Sequence, residues 1–310
     1  MTLKAMKRLL VVFFVLAATG CASLIEDTRT LINRGDFAGA EAHIRSYQAR
    51  NGVTPESLEA YSWLGRGYLA AGKLVQAEEY AARAEQLVLQ HLKKTGSVLD
   101  AEPHLPIALG AALEVQAQVR AAQGERAAAV DYLRTQLKQY FKTSIRTRIQ
   151  KNLNLLSLEG KPAPALDVSE YLGAVPKPLS AYKGRPVLLF FWAHWCATCK
   201  SQIPVVRRLM DEYGPKGLVL VGPTQRYGYG SRGANLSPAA ELKYIDEVRQ
   251  RVYAPLEGMA VPVSEENFSR YGASTTPTLV LVDGGGIVRL YRPGPMGYEE
   301  LRARIGTVLR

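Results

Sequence analysis

At 310 residues, 47% hydrophobic and 22% charged, the chain has the make-up of a globular protein of about two domains, and no low-complexity or disordered tract stands out. Its formal net charge is +11, but Lys4, Lys7 and Arg8 supply three of those charges and no acid lies among the first twenty residues, which leaves +8 for residues 21–310. That excess is scattered rather than massed, which argues against a nucleic-acid partner and for a solvated basic surface facing an anionic membrane.

The chain opens with a leader. Lys4, Lys7 and Arg8 form a positive n-region, and Leu9 to Ala18 form an apolar run too short to span a bilayer. Residues 1–20 therefore read as a secretory signal. The run ends in Ala18-Thr19-Gly20-Cys21, which resembles the bacterial lipobox. That resemblance implies cleavage before Cys21 and lipidation of its thiol, holding the protein in a bacterial cell envelope and facing the periplasm or the cell exterior. Buried acyl chains contribute about 0.8 kcal/mol per methylene, so a multiply acylated Cys21 is a firm membrane anchor. Ordinary cleavage, with Cys21 a bystander, is the alternative.

From Leu24 to about Ser157 the sequence is rich in Ala, Leu, Glu, Gln and Arg, with short Gly-containing breaks. Such composition favours helices, spaced by the breaks into antiparallel pairs. Tyr61, Leu64, Gly65 and Tyr68 share one face of a first helix, Gly72-Lys73 turns the chain, and Ala77, Ala81 and Ala84 share one face of a second. This spacing resembles the tetratricopeptide repeat. Gly35-Asp36-Phe37 with Ala40 and Ile44, and Gly124-Glu125 with Ala129 and Leu133, resemble weaker copies, with an insertion near residues 86–106 before the last. Residues 143–157 are expected to cap the stack. The resemblance assigns 21–157 to a helical-repeat domain whose groove either binds a peptide or protein ligand or merely spaces the next domain from the membrane.

Glu159 to Pro164 is a Pro-containing break, and a linker over 158–164 is expected before a second domain at 165–310. Pro186 to Trp192 reads as a buried strand, Leu218 to Val221 as a second, and Thr278–Val282 with Ile287–Tyr291 as a hairpin. Helices fit at about 197–213, 238–252 and 298–309. The order implies a mixed central sheet with helices on both faces, so the fold class is an all-α repeat followed by an α/β sandwich.

Three cysteines occur in all, and if Cys21 is acylated only Cys196 and Cys199 remain. Exported proteins that use disulfides for stability usually carry more, spread along the chain. One Cys-x-x-Cys is there to react. Haem attachment would need His where Lys200 stands, and a structural zinc site would need a second ligand pair. Neither a metal nor a cofactor is called for.

The first strand runs into Trp192-Ala193-His194-Trp195-Cys196-Ala197-Thr198-Cys199-Lys200, with Pro204 five residues on and Thr276-Pro277-Thr278 leading into a later strand. These marks resemble the thioredoxin active site, and specifically the membrane-anchored TlpA/ResA-like group, over residues 163–310. Placing Cys196 at a helix N-terminus directs backbone N–H groups and the positive dipole end at its sulfur, which favours the attacking thiolate. Cys199, one turn on, can then resolve a mixed disulfide. The resemblance implies that Pro277 is cis, that Thr276 offers its backbone to a substrate chain, and that Trp195, Ala197, Thr198, Lys200 and Gln202 border the dithiol. It further implies electron exchange with cysteine pairs of other exported proteins, in the reductive direction, from a donor that the sequence does not identify.

Two departures stand out, Phe190 from many thioredoxins, which carry a buried Asp there, and Gln202 from the TlpA/ResA group, which usually carries Glu. Phe190 and Gln202 occupy positions where relatives carry carboxylates able to take a proton from the resolving thiol. Water or His194 is left for that role, and His194 is read as a partly exposed neighbour of the dithiol. Residues 224–237, with Arg226, Tyr227, Tyr229 and Arg232 among glycines, are expected to form a lid or a flexible insertion. The rival reading of the whole is a repeat scaffold that recruits partners and carries a vestigial redox module.

Overall fold

The computed structural model describes residues 23–309, so the leader and Cys21 lie outside the described residues. Seven α-helices come first: α1 (Leu24–Asn33), α2 (Phe37–Asn51), α3 (Pro55–Ala70), α4 (Leu74–Thr95), α5 (His104–Ala122), α6 (Arg126–Gln139) and α7 (Arg146–Ser157). Consecutive helices pair as hairpins, while α1, α3, α5 and α7 pack side by side. Local chemistry sets the boundaries. Thr54 caps α3 in a reciprocal pair of hydrogen bonds with Ser57, and Pro55 fills the first turn, where its missing N–H costs nothing. Gly72, at φ +70°, turns the chain into α4.

The small residues do what their spacing implies. Leu64, Gly65, Ala77, Ala81 and Ala84 are all buried. A Cβ at Gly65 would stand 3.2 Å from the Ala81 backbone nitrogen, so α3 and α4 touch backbone to backbone. The extra residues expected at 86–106 enter partly as an extension of α4, which runs for 22 residues to the left-handed Gly96, and partly as the connection from there to α5. The last helix differs from a plain cap. Leu153 is buried against α5, but Leu155 is 43% exposed, and Leu158 just beyond α7 joins the core of the second domain.

That second domain is built on a six-stranded sheet in the order β1-β4-β3-β2-β5-β6. The strands are β1 (Tyr171–Gly173), β2 (Val187–Phe191), β3 (Val219–Val221), β4 (Ala260–Pro262), β5 (Thr278–Val282) and β6 (Val288–Pro293). β2, β3 and β4 run parallel, whereas β1, β5 and β6 pair antiparallel with their neighbours, so the sheet is mixed as expected. The helices are α8 (Ala197–Tyr213), α9 (Pro238–Val252), α10 (Glu265–Tyr271) and α11 (Tyr298–Val308). Alternation along β2 divides the core in two. Leu188, Phe190 and Trp192 pack with residues of α8, α9 and α11, and Val187, Leu189 and Phe191 pack with Phe268 and Tyr271 of α10.

The segment expected as a linker is hydrogen-bonded along the sheet edge. Gly160 N–H donates to the Val288 carbonyl at 2.8 Å, Val288 N–H to Lys161 at 2.9 Å, and Ala163 N–H to Gly286 at 2.9 Å. The passage from helices to sheet is thus made in ordered chain. Among the described residues, no helix is long and apolar enough to cross a membrane.

Candidate active site

β2 ends at Phe191, and after four intervening residues the chain enters α8 with Cys196 as its N-cap. The first N–H groups of a helix have no partner within it, and here the sulfur takes one. Cys199 N–H points at Cys196 Sγ at 3.0 Å. A charge on that sulfur gains from this donor and from the positive end of a 17-residue helix. Cys196 and Cys199 are joined as a disulfide, with Cα atoms 5.3 Å apart.

The two sulfurs differ in access, though less than an exposed nucleophile would imply. Cys196 keeps 4% exposure and Cys199 none. Over them lies the loop after α10. The Thr276–Pro277 peptide is cis, and the Thr276 carbonyl oxygen is 3.4 Å from Cys196 Sγ. In the disulfide that sulfur has no hydrogen, so this is a contact; once reduced, the Cys196 thiol can donate to the carbonyl. Trp195, 48% exposed, and the exposed Ala197 and Thr198 form the rim, with Lys200 half-buried behind them.

The two positions flagged from the sequence hold no carboxylate. Phe190 is fully buried and leans on Tyr253, their ring centroids 6.3 Å apart. Gln202, one turn past Cys199 and 2% exposed, spends its whole amide on one backbone unit. Its Nε2 donates to the Met296 carbonyl at 2.9 Å, and its Oε1 accepts the Met296 N–H at 3.1 Å. Both polar ends are satisfied, as burial demands.

His194 departs from the sequence reading. It is not a partly exposed neighbour: the imidazole is 1% exposed, with the rings of Tyr227, Tyr229 and Tyr244 at 5.6, 5.5 and 5.3 Å. Nε2 has no hydrogen-bond partner, and Glu241 Oε1 lies 3.5 Å from it, an ion-pair distance but a poor hydrogen bond. Burial, opposed by the Glu241 charge, holds the His194 pKa below its usual value. The imidazole is accordingly neutral around pH 7. This neutral burial contributes stability above the unfolded pKa of about 6.5 and loses it as pH falls toward the depressed folded value.

The segment expected as a lid or loose insertion is a wall tied down at several points. Thr224 Oγ1 donates to the Trp192 carbonyl at 2.9 Å. Arg226 grips Glu170 through two nitrogens, at 2.7 and 2.5 Å. Glu241 accepts the N–H groups of Tyr227 and Gly228, at 2.5 and 2.8 Å. Tyr227 then stands edge-on to Trp195 at 5.4 Å, on the rim of the dithiol. Glu241 and Met296 were not singled out from sequence. Glu241 had only a weak signal, an acid one turn after Ser237-Pro238, and Met296 acts through its backbone, which leaves none.

A family model described as the AhpC/TSA family matches residues 160–225, the stretch that includes β2, the Cys-x-x-Cys, all of α8 and β3. The chain is similar to the thioredoxin-like protein YneN of Bacillus subtilis (strain 168), at 25% identity over 150 residues, covering 47% of this chain and 78% of that one. It is 24% identical over 153 residues to the thiol-disulfide oxidoreductase ResA of Geobacillus thermodenitrificans (strain NG80-2), covering 48% and 77%. The C-terminal half is a thioredoxin-like thiol–disulfide oxidoreductase domain. Among solved structures, a thiol:disulfide interchange protein of the thioredoxin family from Chlorobium tepidum TLS aligns over 49% of this chain and 98% of its own, at 17% identity and a TM-score of 0.38.

Proposed function

We propose that the protein is exported, held on the cell envelope through a lipid on Cys21, and reduces cysteine pairs of other envelope proteins with the Cys196–Cys199 dithiol. The observation that carries this reading is Cys196 at the N-cap of α8, its sulfur facing the Cys199 N–H on one side and the Thr276 carbonyl on the other. A thiolate at Cys196 attacks a client disulfide, forming a mixed disulfide and expelling a client thiolate. Cys199 then attacks Cys196, releasing the second client thiol and leaving the intramolecular disulfide. Two electrons pass to the client, and a reductant of the dithiol type must return them. Cys196 and Cys199 are the catalytic pair. Trp195, Ala197, Thr198, Thr276 and Pro277 form the surface a client meets, while Lys200 and Gln202 stand behind it. The helical domain sets the height of this surface above the membrane and offers a face on which a protein ligand can dock. No nucleic acid is involved.

The scaffold reading is weaker, because a vestigial module has no reason to keep the sulfur, its N–H donor and the facing carbonyl in register. Equilibrating the pair with glutathione buffers of graded poise tests the direction of flow. A reductant remains disulfide-bonded through most of that series, because its own potential lies below that of glutathione. A pair that is largely dithiol in mildly reducing glutathione would reverse the proposed direction.

The anchor has its own expectation. Cys21→Ser should move the protein from the membrane fraction to the soluble fraction without changing the reactivity of Cys196. Retention of that variant in the membrane would place the anchor elsewhere.

A further inference from the structure

The loop that faces the dithiol is also the place where the helical domain rests on the redox domain. α10 packs against α7, and Thr276 follows α10 by five residues. Arg146 of α7 reaches the Glu266 carboxylate through two nitrogens, each at 3.3 Å. Asn154, 4% exposed, donates to the Arg270 carbonyl at 3.4 Å. The Thr147 and Ser269 hydroxyls stand 3.4 Å apart.

The tightest point is Gly272, which ends α10 with φ +61°. A Cβ placed there would overlap the backbone nitrogen of Lys151 and lie 2.6 Å from its Cα. Main chain therefore meets main chain across the two domains, in a conformation that L side chains resist as well. Beyond Gly272 little slack remains. Tyr291 Oη donates to the Tyr271 carbonyl at 2.8 Å, Ala273 N–H to Phe268 at 2.8 Å, and Ser274 N–H to Gly272 at 2.8 Å. Thr278 Oγ1 donates to the Thr275 carbonyl at 2.6 Å, and Gly294 N–H to Pro277 at 2.7 Å. A displacement of Gly272 is thus carried along a pinned chain to the Thr276 carbonyl, 3.4 Å from Cys196 Sγ.

We propose that α7 of the helical domain is a positioning element of the dithiol centre, with Gly272 and Asn154 as positioning residues that hold the Thr276 carbonyl against Cys196. The assignment rests on the redox reading above only in concerning the same thiol. Its chemical content is specific. A carbonyl oxygen beside a reduced cysteine accepts from the S–H and disfavours the charge, so it opposes the helix terminus and limits the thiolate fraction of Cys196. Loosening the joint lets the carbonyl withdraw, and the thiol becomes more acidic. The helical domain then does more than hold the redox domain at a height: its packing sets how much thiolate the centre carries.

The test uses the full-length protein, reduced, with iodoacetamide as probe and modification at Cys196 read by peptide mass spectrometry from pH 4 to 10. Gly272→Ala and Asn154→Ala should both move the midpoint of Cys196 alkylation to lower pH, raising the rate several-fold on the acid side of the wild-type midpoint. Ile44→Ala, which opens a buried cluster formed by α1, α2 and α3 and containing no residue of α7, should lower Tm and leave the midpoint alone. If Gly272→Ala does not fold, Asn154→Ala carries the comparison, since it removes a contact without adding an atom. An unchanged or raised midpoint in a joint variant that folds, whatever its Tm, would make the joint mere packing and overturn the proposal. Alkylation reports on the thiol whether or not the chain reduces any client. Failure of the redox reading would appear in client reduction, and failure of this one in the midpoint.

Discussion

Cys196→Ala should abolish exchange with disulfide substrates, whereas Cys199→Ala should retain the first step and accumulate covalent mixed disulfides. The asymmetry is written in the start of α8. The thiolate is the attacking species, and an ordinary thiol with a pKa near 8.5 is only a few per cent ionised at pH 7. A cysteine at a helix N-terminus with a pKa near 7 carries roughly tenfold more thiolate. Cys196 has the position, the N–H donor at 3.0 Å and what surface remains, while Cys199 is fully covered. Without Cys199 no neighbouring sulfur can displace the client, so the intermediate persists until an external thiol arrives. Separation on non-reducing gels after acid quenching, followed by mass spectrometry of the adducts, measures both outcomes. Comparable adduct levels from the two variants would show that the roles of nucleophile and resolving thiol are wrongly assigned.

How far the sequence foretold this site depends on how local each feature is. The strand into Cys196, the bounds of α8 and α9 and the β5–β6 hairpin all rest on continuous stretches with strong periodicity or turn residues, and the structure places them within about two residues of expectation. β1 and β4, of three residues each, and α10, of seven, are too short to show a period, and none was foreseen. Their absence from the reading hid the joint, because Gly272 explains itself only once α7 is known to lie against α10. His194 was misjudged for a related reason. A histidine next to an exposed tryptophan in a loop looks solvated, and what buries it is a ring of tyrosines drawn from residues 227–244. Gln202 shows the reverse. Its departure from the group's carboxylate was legible, but that its amide is committed to Met296, 94 residues away, was not.

That commitment sharpens what a carboxylate at position 202 would do. Gln202→Glu keeps size and shape, and the introduced carboxyl can still accept the Met296 N–H with one oxygen. The other oxygen then faces the Met296 carbonyl, now 2.9 Å from Nε2, and two acceptors at that distance repel when the group is ionised. Burial adds to the effect, so the protonated form, which can donate to the carbonyl, is favoured and the pKa rises from its unfolded value near 4.3. An acid so tuned approaches the working pH of the exchange, one helical turn from the sulfur that must lose its proton. Client or insulin reduction, with external reductant in excess, should then speed up by as much as about 10², most clearly in the upper part of pH 6 to 9, where the carboxyl ionises. Stability should move the opposite way. Relative to the wild type, the variant is most stable at or below about pH 4, where the carboxyl is protonated both folded and unfolded. It loses ground as pH climbs toward the raised folded pKa, because the folded chain then holds a proton that the unfolded chain has released. Turnover that stays level or falls across the whole range, in a variant whose Tm shows that pH trend, would mean that deprotonation of Cys199 does not limit the reaction and that the missing carboxylate costs this protein nothing.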